Sequence, residues 1–477
     1  ISGYRLDTCY TGPSRRWVAF VTAIVELFWF SGIHYGYNAL IPILKDLNVF
    51  AYLCQGSDCA QQDQMYSYAF IVSVVVQMCL IPTAGLIMDH VGLRVNKLIS
   101  IILVSCGMFM FAFTNESTSP MLFVAMAVIS YASLSSLISN HQISSQFPAY
   151  RAIIISLLNG AYDSSTAVFF IFGLTYPKIH VQTSFIIMAV GTLLFGTLVA
   201  CFLLTRYSKD MAYVKERHDE PVQNVITLEK FEDNADSLPN CSHEVDVNVK
   251  TIEIVNARYP DVKSCFRALP FYLACSWFML GLLRFSYLLT QLSKQLDYAF
   301  PGDKTSKDLL LQVSSAMSMC GFIISPVSGL IMVFSDKYFK KKLQKRLAVS
   351  ENDMDPNEFY YTHLRSLAPA TLIMAIATTI LSALLFVRQT QWVYYLIFIC
   401  HMLLRSLLFS TTATMIIFAY PITSYGTVFG VVNFVGGVFS TLQYGLLELP
   451  TEVSNGLCIA TSVLMFIPPL VLFLKKR

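Results

Sequence analysis

Apolar residues gather into twelve long runs, near 17–40, 66–88, 97–114, 121–147, 152–175, 183–205, 269–292, 309–335, 366–388, 391–418, 425–447 and 453–474. They lack the alternating pattern of barrel strands, which are about 10 residues long. At about 20 residues each, they suit helices crossing a ~30 Å hydrocarbon core. The pattern predicts an all-α membrane protein of twelve transmembrane helices. A polar stretch, 206–267, divides the runs six and six. The predicted organisation is an N-terminal segment 1–16, a six-helix half 17–205, a largely disordered linker 206–267 with one short helix, and a six-helix half 268–474.

One frame occurs twice, 244 residues apart: Pro82-Thr-Ala-Gly85-Leu-Ile-Met88 and Pro326-Val-Ser-Gly329-Leu-Ile-Met332. Both copies close an apolar run that is followed by charge. A repeat at this distance predicts a duplicated bundle. Two similar halves rocking about a shared central site give alternating access, so the expected function is transport.

Composition agrees. The chain is 55% hydrophobic and only 13% charged, against about a quarter charged in soluble domains. The net charge of +3 says little, but its distribution sets an orientation. If the first run starts inside, 25 of the 33 Lys and Arg residues face the cytoplasm, Lys97 and the basic 337–346 stretch among them, and six face outside. Both termini and the linker are therefore expected in the cytoplasm. The 337–346 stretch reads as a topology-setting loop or as a helix lying on anionic lipid. The first run is too long for a signal peptide core and is expected to stay in the mature protein.

Most of the twelve cysteines fall within the runs as small buried hydrophobes. Cys54 and Cys59 share the first outer loop and are expected to pair. The eight histidines lack metal-ligand spacing, and neither a glycine-rich phosphate loop nor a Ser/His/Asp order is present. Neither an enzyme nor a cofactor is expected. The expected partners are a small-molecule substrate and the lipid bilayer, with no nucleic acid.

Gly85-Leu-Ile-Met-Asp89-His90-Val-Gly92-Leu-Arg94 joins the second and third runs. Gly85 lets a helix approach, Asp89 can sit at a helix N-terminus, and Arg94 can answer exposed carbonyls, so together they would bias one access state. In the second copy of the frame, Val333 replaces the acid.

The fifth run is the most polar. Asn159 lies about 12 Å and Asp163 about 18 Å along it, near the midplane, and they share a face. An ionisable group at that depth marks a functional site or an anchor paired with an Arg of another helix. Arg284, about 24 Å along the seventh run, and Arg405, about 21 Å along the tenth, are the candidates to hold a substrate carboxylate or to offset Glu26 or Asp163. Glu26 lies about 13 Å into the first run, and Asn433 about 13 Å into the eleventh. Asn433 is either a polar contact for substrate or interhelical glue. Asn140-His141-Gln142 suits a gate or a polar helix end.

Glu26-Leu-Phe-Trp-Phe-Ser-Gly32, Cys59-Ala-Gln-Gln-Asp63-Gln-Met65, the Gly85–Arg94 loop, Phe147-Pro-Ala-Tyr-Arg151, Asn159-Gly-Ala-Tyr-Asp-Ser164-Ser-Thr-Ala-Val168 and Arg405-Ser resemble solute carrier family 43 of the major facilitator superfamily. The loop departs from the superfamily pattern at His90, where Arg or Lys is usual. The resemblance implies sodium-independent facilitated diffusion, by alternating access, of large neutral amino acids or, in one branch, of purine nucleobases. It implies a midplane site between helices 1, 4, 5, 7, 10 and 11, and residence in the plasma membrane. Asn-Gly-Ala-Tyr-Asp-Ser-Ser looks like the nucleobase branch, while Leu283-Arg284 with Tyr287 looks like the amino-acid branch. A zwitterion needs a cation for its carboxylate and Arg284 offers one, which tilts the expectation to amino acids. A non-transporting receptor on the same fold is the rival of another class.

Overall fold

The computed structural model describes residues 13–54, 60–147, 150–203, 241–349 and 355–475. Twelve helices among them are long and apolar enough to cross a membrane: α1 (Arg16–Asp46), α2 (Gln64–His90), α3 (Leu93–Ala112), α4 (Met121–Gln146), α5 (Arg151–Thr175), α6 (Val181–Cys201), α7 (Leu269–Leu292), α8 (Gly321–Arg346), α9 (Pro356–Leu384), α10 (Gln391–Ala419), α11 (Ile422–Glu448) and α12 (Thr451–Leu474). Their outer surfaces are apolar: Leu174, Ile323, Phe334 and Leu474 are exposed as only a lipid-facing side chain should be. With twelve such helices in succession, the start of α1 and the end of α12 fall on one side of the bundle, here termed the terminal face.

The repeated frame joins the halves. α2 packs along α11, and α5 along α8. In the first copy, a Cβ on Gly85 would overlap the backbone carbonyl of Gly426 in α11. In the second, a Cβ on Gly329 would lie 2.7 Å from Cα of Ile153 in α5. Both glycines thus let one half approach the other at backbone distance. Pro82 and Pro326 sit inside their helices, α2 and α8.

Two spans are broken at the same level. α1 is regular over Pro13–Phe30, turns at Ser31-Gly32, and resumes as a 3-10 segment, Ile33–Leu40. Gly32 has φ +56°, which favours glycine. α5 is interrupted at Ser165, between Arg151–Ser164 and Thr166–Thr175. The breaks face each other, since a Cβ on Gly32 would strike Tyr162 O and Ser165 Oγ. Broken spans free backbone polar groups at membrane depth, which is tolerated only where protein or a cavity covers them.

Three expectations need correction. Lys97, counted among the cytoplasmic charges, lies inside α3 and is fully buried. The 337–346 stretch is not a loop: the eighth helix runs unbroken from Gly321 to Val349. Hydropathy stops at the membrane edge, whereas Lys, Leu, Gln and Arg are strong helix formers that carry the helix into water. The ninth helix begins about ten residues before its apolar run, at Pro356, with Asp355 accepting from Asn357 N at 3.0 Å. Within the linker, Cys241–Arg258 forms an 18-residue helix. Its Val247 packs with Leu343 and Phe359 on the terminal face, and Arg258 lies over the Tyr360 ring at 4.6 Å. Residues 204–240 lie outside the described residues. Cys54 is disulfide-bonded, and Cys59 lies outside the described residues.

Candidate functional site

The breaks in α1 and α5 bring Asp163 and Ser164 against the second half. Asp163 Oδ1 meets Arg405 Nη2 of α10 at 2.7 Å. Both side chains are more than nine-tenths buried. Ser164 Oγ accepts from Phe322 N at 2.8 Å, which caps the N-terminus of α8. A Cβ on Gly321 would lie 2.8 Å from the Asp163 Cβ, so the carboxylate sits beside that helix start and its partial positive charge.

Aromatic rings wall the pair. Tyr35 and Phe285 hold the Arg405 guanidinium at 5.3 and 5.4 Å from their centroids, within cation–π range. His401 stacks on Phe285 at 5.1 Å with planes 7° apart. Tyr162 meets Tyr35 edge-on at 6.1 Å, and His34 lies 4.1 Å from Tyr35. Gln77 Nε2 donates to Tyr162 OH at 3.4 Å. Arg405 Nε has no hydrogen-bond partner among the described residues. The arrangement offers a carboxylate acceptor, a guanidinium donor and flat apolar faces at one depth, contributed by both halves.

Of the residues singled out from sequence, Asp163, Ser164 and Arg405 meet here, and Asn159 lies one turn before Asp163. Asn159 Nδ2 donates to its own helix at Ile155 O, 3.0 Å. Asn433 is fully buried and donates to Phe429 O at 2.8 Å. Glu26 is held elsewhere, within the first half: Lys97 Nζ lies 2.5 Å from its Oε1, and Ser136 Oγ donates to the same oxygen at 3.1 Å. Lys97 also donates to Ser136 Oγ at 2.8 Å and Asn140 Oδ1 at 3.0 Å. Arg284 lies within the second half, its Nε donating to Ser382 Oγ of α9 at 2.9 Å. Tyr287 OH donates to Leu446 O of α11 at 3.2 Å. Sequence reasoning missed Lys97 as the partner of Glu26 because it stood at the edge of its apolar run. It also passed over Phe285 and His401, since an aromatic ring in an apolar helix carries no distinguishing signal.

At the terminal face the Gly85–Arg94 loop clasps α11. Asp89 Oδ1 accepts from Gly426 N at 3.0 Å, and Oδ2 from Thr427 N at 2.6 Å and Thr427 Oγ1 at 2.8 Å. The helix whose N-terminus Asp89 caps therefore belongs to the other half. Gly92, at φ +124°, starts α3, and Arg94 follows in its first turn, partly buried. One turn of α11 is gripped again by α4, where His141 Nδ1 lies 3.0 Å from Tyr425 OH. Sequence left His141 between a gate and a polar helix end; its contact spans the halves. A cavity of about 680 Å³ lined by Phe300, Asp303, Gln391 and Trp392 lies in the loops of the second half, away from these groups.

Residues 18–443 match the Major Facilitator Superfamily. The chain belongs to that family. Its superfamily fold is matched by the solved structure of the human organic anion transporter MFSD10 (TETRAN), at TM-score 0.56 over 97% of this chain and all of the other, with 17% identity. That superfamily is one of membrane transporters. It is 32% identical over 188 residues to equilibrative nucleobase transporter 1 of Bos taurus, which covers 37% of this chain and 38% of that protein. It is 25% identical over 172 residues to the human large neutral amino acids transporter small subunit 3, covering 32% and 31%. Protein FMP42 of Saccharomyces cerevisiae aligns over 67% of this chain and 72% of its own length, at 23% identity. The bovine and human matches span under two fifths of those proteins.

Proposed function

We propose that this transporter carries purine nucleobases by facilitated diffusion, with substrate held at the Asp163–Arg405 pair. The observation that carries the reading is that pair, enclosed by Tyr35, Tyr162, Phe285 and His401. A purine is flat and neutral with donors and acceptors along its edge. Arginine is suited to purine O6 and N7, carboxylate to ring and exocyclic N–H, and aromatic or guanidinium planes to the base faces. An amino acid would have to bring two charges out of water and part an ion pair already made, at an effective penalty of several kcal/mol per ion. The tilt to amino acids rested on Arg284, which donates to Ser382 of α9 while Asp163 pairs with Arg405. The partial identity to the bovine nucleobase transporter supports the same reading.

The Lys and Arg distribution supports both termini lying in the cytoplasm. The named ties between the halves, from Asp163–Arg405 to Asp89–Thr427 and His141–Tyr425, run from midplane to terminal face. On that orientation the protein is closed on the cytoplasmic side, and 17–205 and 268–474 rock about the pair.

Uptake into sodium-free proteoliposomes tests this. Saturable adenine and guanine uptake is expected, unaffected by excess leucine and phenylalanine, lost in Asp163→Ala and kept in Arg284→Leu. Leucine uptake that adenine does not inhibit would overturn the assignment, and flux of neither class would return the protein to the receptor reading.

A further inference from the structure

The two halves treat a buried cation differently. In the first half Lys97 is matched by Glu26 at 2.5 Å. In the second, Arg284 is only 1% exposed and uses Nε on Ser382 Oγ, while Nη1 and Nη2 have no hydrogen-bond partner among the described residues. The buried carboxylates are committed elsewhere: Glu26 to Lys97, Asp163 to Arg405 and Asp336 to Lys340. Guanidinium cannot shed its charge as a lysine could, and an uncompensated buried charge is strongly destabilising.

We propose that the Nη face of Arg284, between α7, α9 and α12, binds a small monovalent inorganic anion, chloride being the test case. Ser382 Oγ and Ser462 Oγ lie 2.9 Å apart beside it. Ser462 Oγ donates to Cys458 O at 2.7 Å, so the Ser382 proton closes the contact between the hydroxyls and the chain Arg284–Ser382–Ser462–Cys458 fixes the guanidinium through Nε alone. The donors are the two Nη groups, a fork suited to a small anion. The enclosure of Arg284 favours a small one over an organic acid. The named contacts of Arg284 lie within one half, so the proposal does not rest on the choice of transported substrate.

The test uses purified full-length protein in detergent without substrate. Sodium chloride is replaced stepwise by sodium gluconate at constant ionic strength, and melting temperature is followed. The expected result is a saturable upward shift with chloride, reproduced by bromide, as for any ligand that binds only the folded state. Arg284→Leu should abolish the shift. Should that variant not fold, Arg284→Lys, which keeps the charge and loses the Nη fork, should raise the chloride midpoint by about tenfold, the loss of one hydrogen bond to a charged partner. Equal melting temperatures in both salts, a chloride shift that survives Arg284→Leu, or an unchanged chloride midpoint in Arg284→Lys would overturn the proposal. A shift produced by leucine and not by chloride would also overturn it and make Arg284 a carboxylate site.

Discussion

Asp163 Oδ1 and Arg405 Nη2, 2.7 Å apart, belong to different halves of the bundle. An ion pair there ties the halves wherever it forms, and any change that parts the halves at this depth must first supply each charge with another partner. This links the pair to transport as well as to folding.

Removing one member of the pair should be worse than removing both. Arg405→Leu or Asp163→Ala leaves a buried charge alone, at a cost of about 3–5 kcal/mol. The double variant Asp163→Asn/Arg405→Gln should recover much of the surface expression and thermal stability and none of the purine uptake. A double variant no more stable than either single one would show that the pair contributes nothing by being paired.

The grip of Asp89 on α11 should set which side is open. Asp89→Asn keeps the size of the side chain and loses the charge that three donors share, each such bond being worth about 1.5–3 kcal/mol. The population should shift toward opening at the terminal face, raising the reactivity of a cysteine introduced near Thr427 toward a membrane-impermeant maleimide added on that side. Uptake rate at matched surface expression should change with it. Identical labelling and uptake in wild type and variant would remove the latch role.

Gly85→Ala adds one methyl group against backbone, the Gly426 carbonyl, and not against a side chain that could turn away. The terminal face should then fail to close. We expect a folded, membrane-inserted protein with uptake reduced at least tenfold, whereas Gly445→Ala, whose Cβ meets nothing within 4 Å, should be unaffected. Wild-type uptake in Gly85→Ala would show that α2 and α11 adjust freely.

Glu26 and Lys97 should behave as a structural pair. Glu26→Gln or Lys97→Met alone should lower thermal stability by about 3–5 kcal/mol equivalent, and Glu26→Leu/Lys97→Met should restore much of it, because an apolar replacement of both members avoids desolvating either ion. Purine affinity of the double variant should stay within a few-fold of wild type. A large loss of affinity in a stable double variant would move Glu26 into the binding site.

The sequence alone determined the class, the number of crossings and the duplication, because each is a property of local apolar length and of spacing along the chain. It also marked Asp163, Ser164, Arg405 and Asp89, since charge or polarity at membrane depth is rare enough to be visible one residue at a time. Tertiary structure decided who pairs with whom. Glu26 could have answered Arg284, Arg405 or Lys97, and the choice of Lys97 follows from the packing of both α1 and α3 on α4. Asp89 caps α11 of the opposite half because Gly85 and Gly426 let two backbones touch, a contact 341 residues apart in the chain that no local pattern encodes. The breaks at Ser31-Gly32 and Ser165 decided the rest: two helices that hydropathy reads as continuous stop at one level, and there the aromatic rings and the ion pair converge.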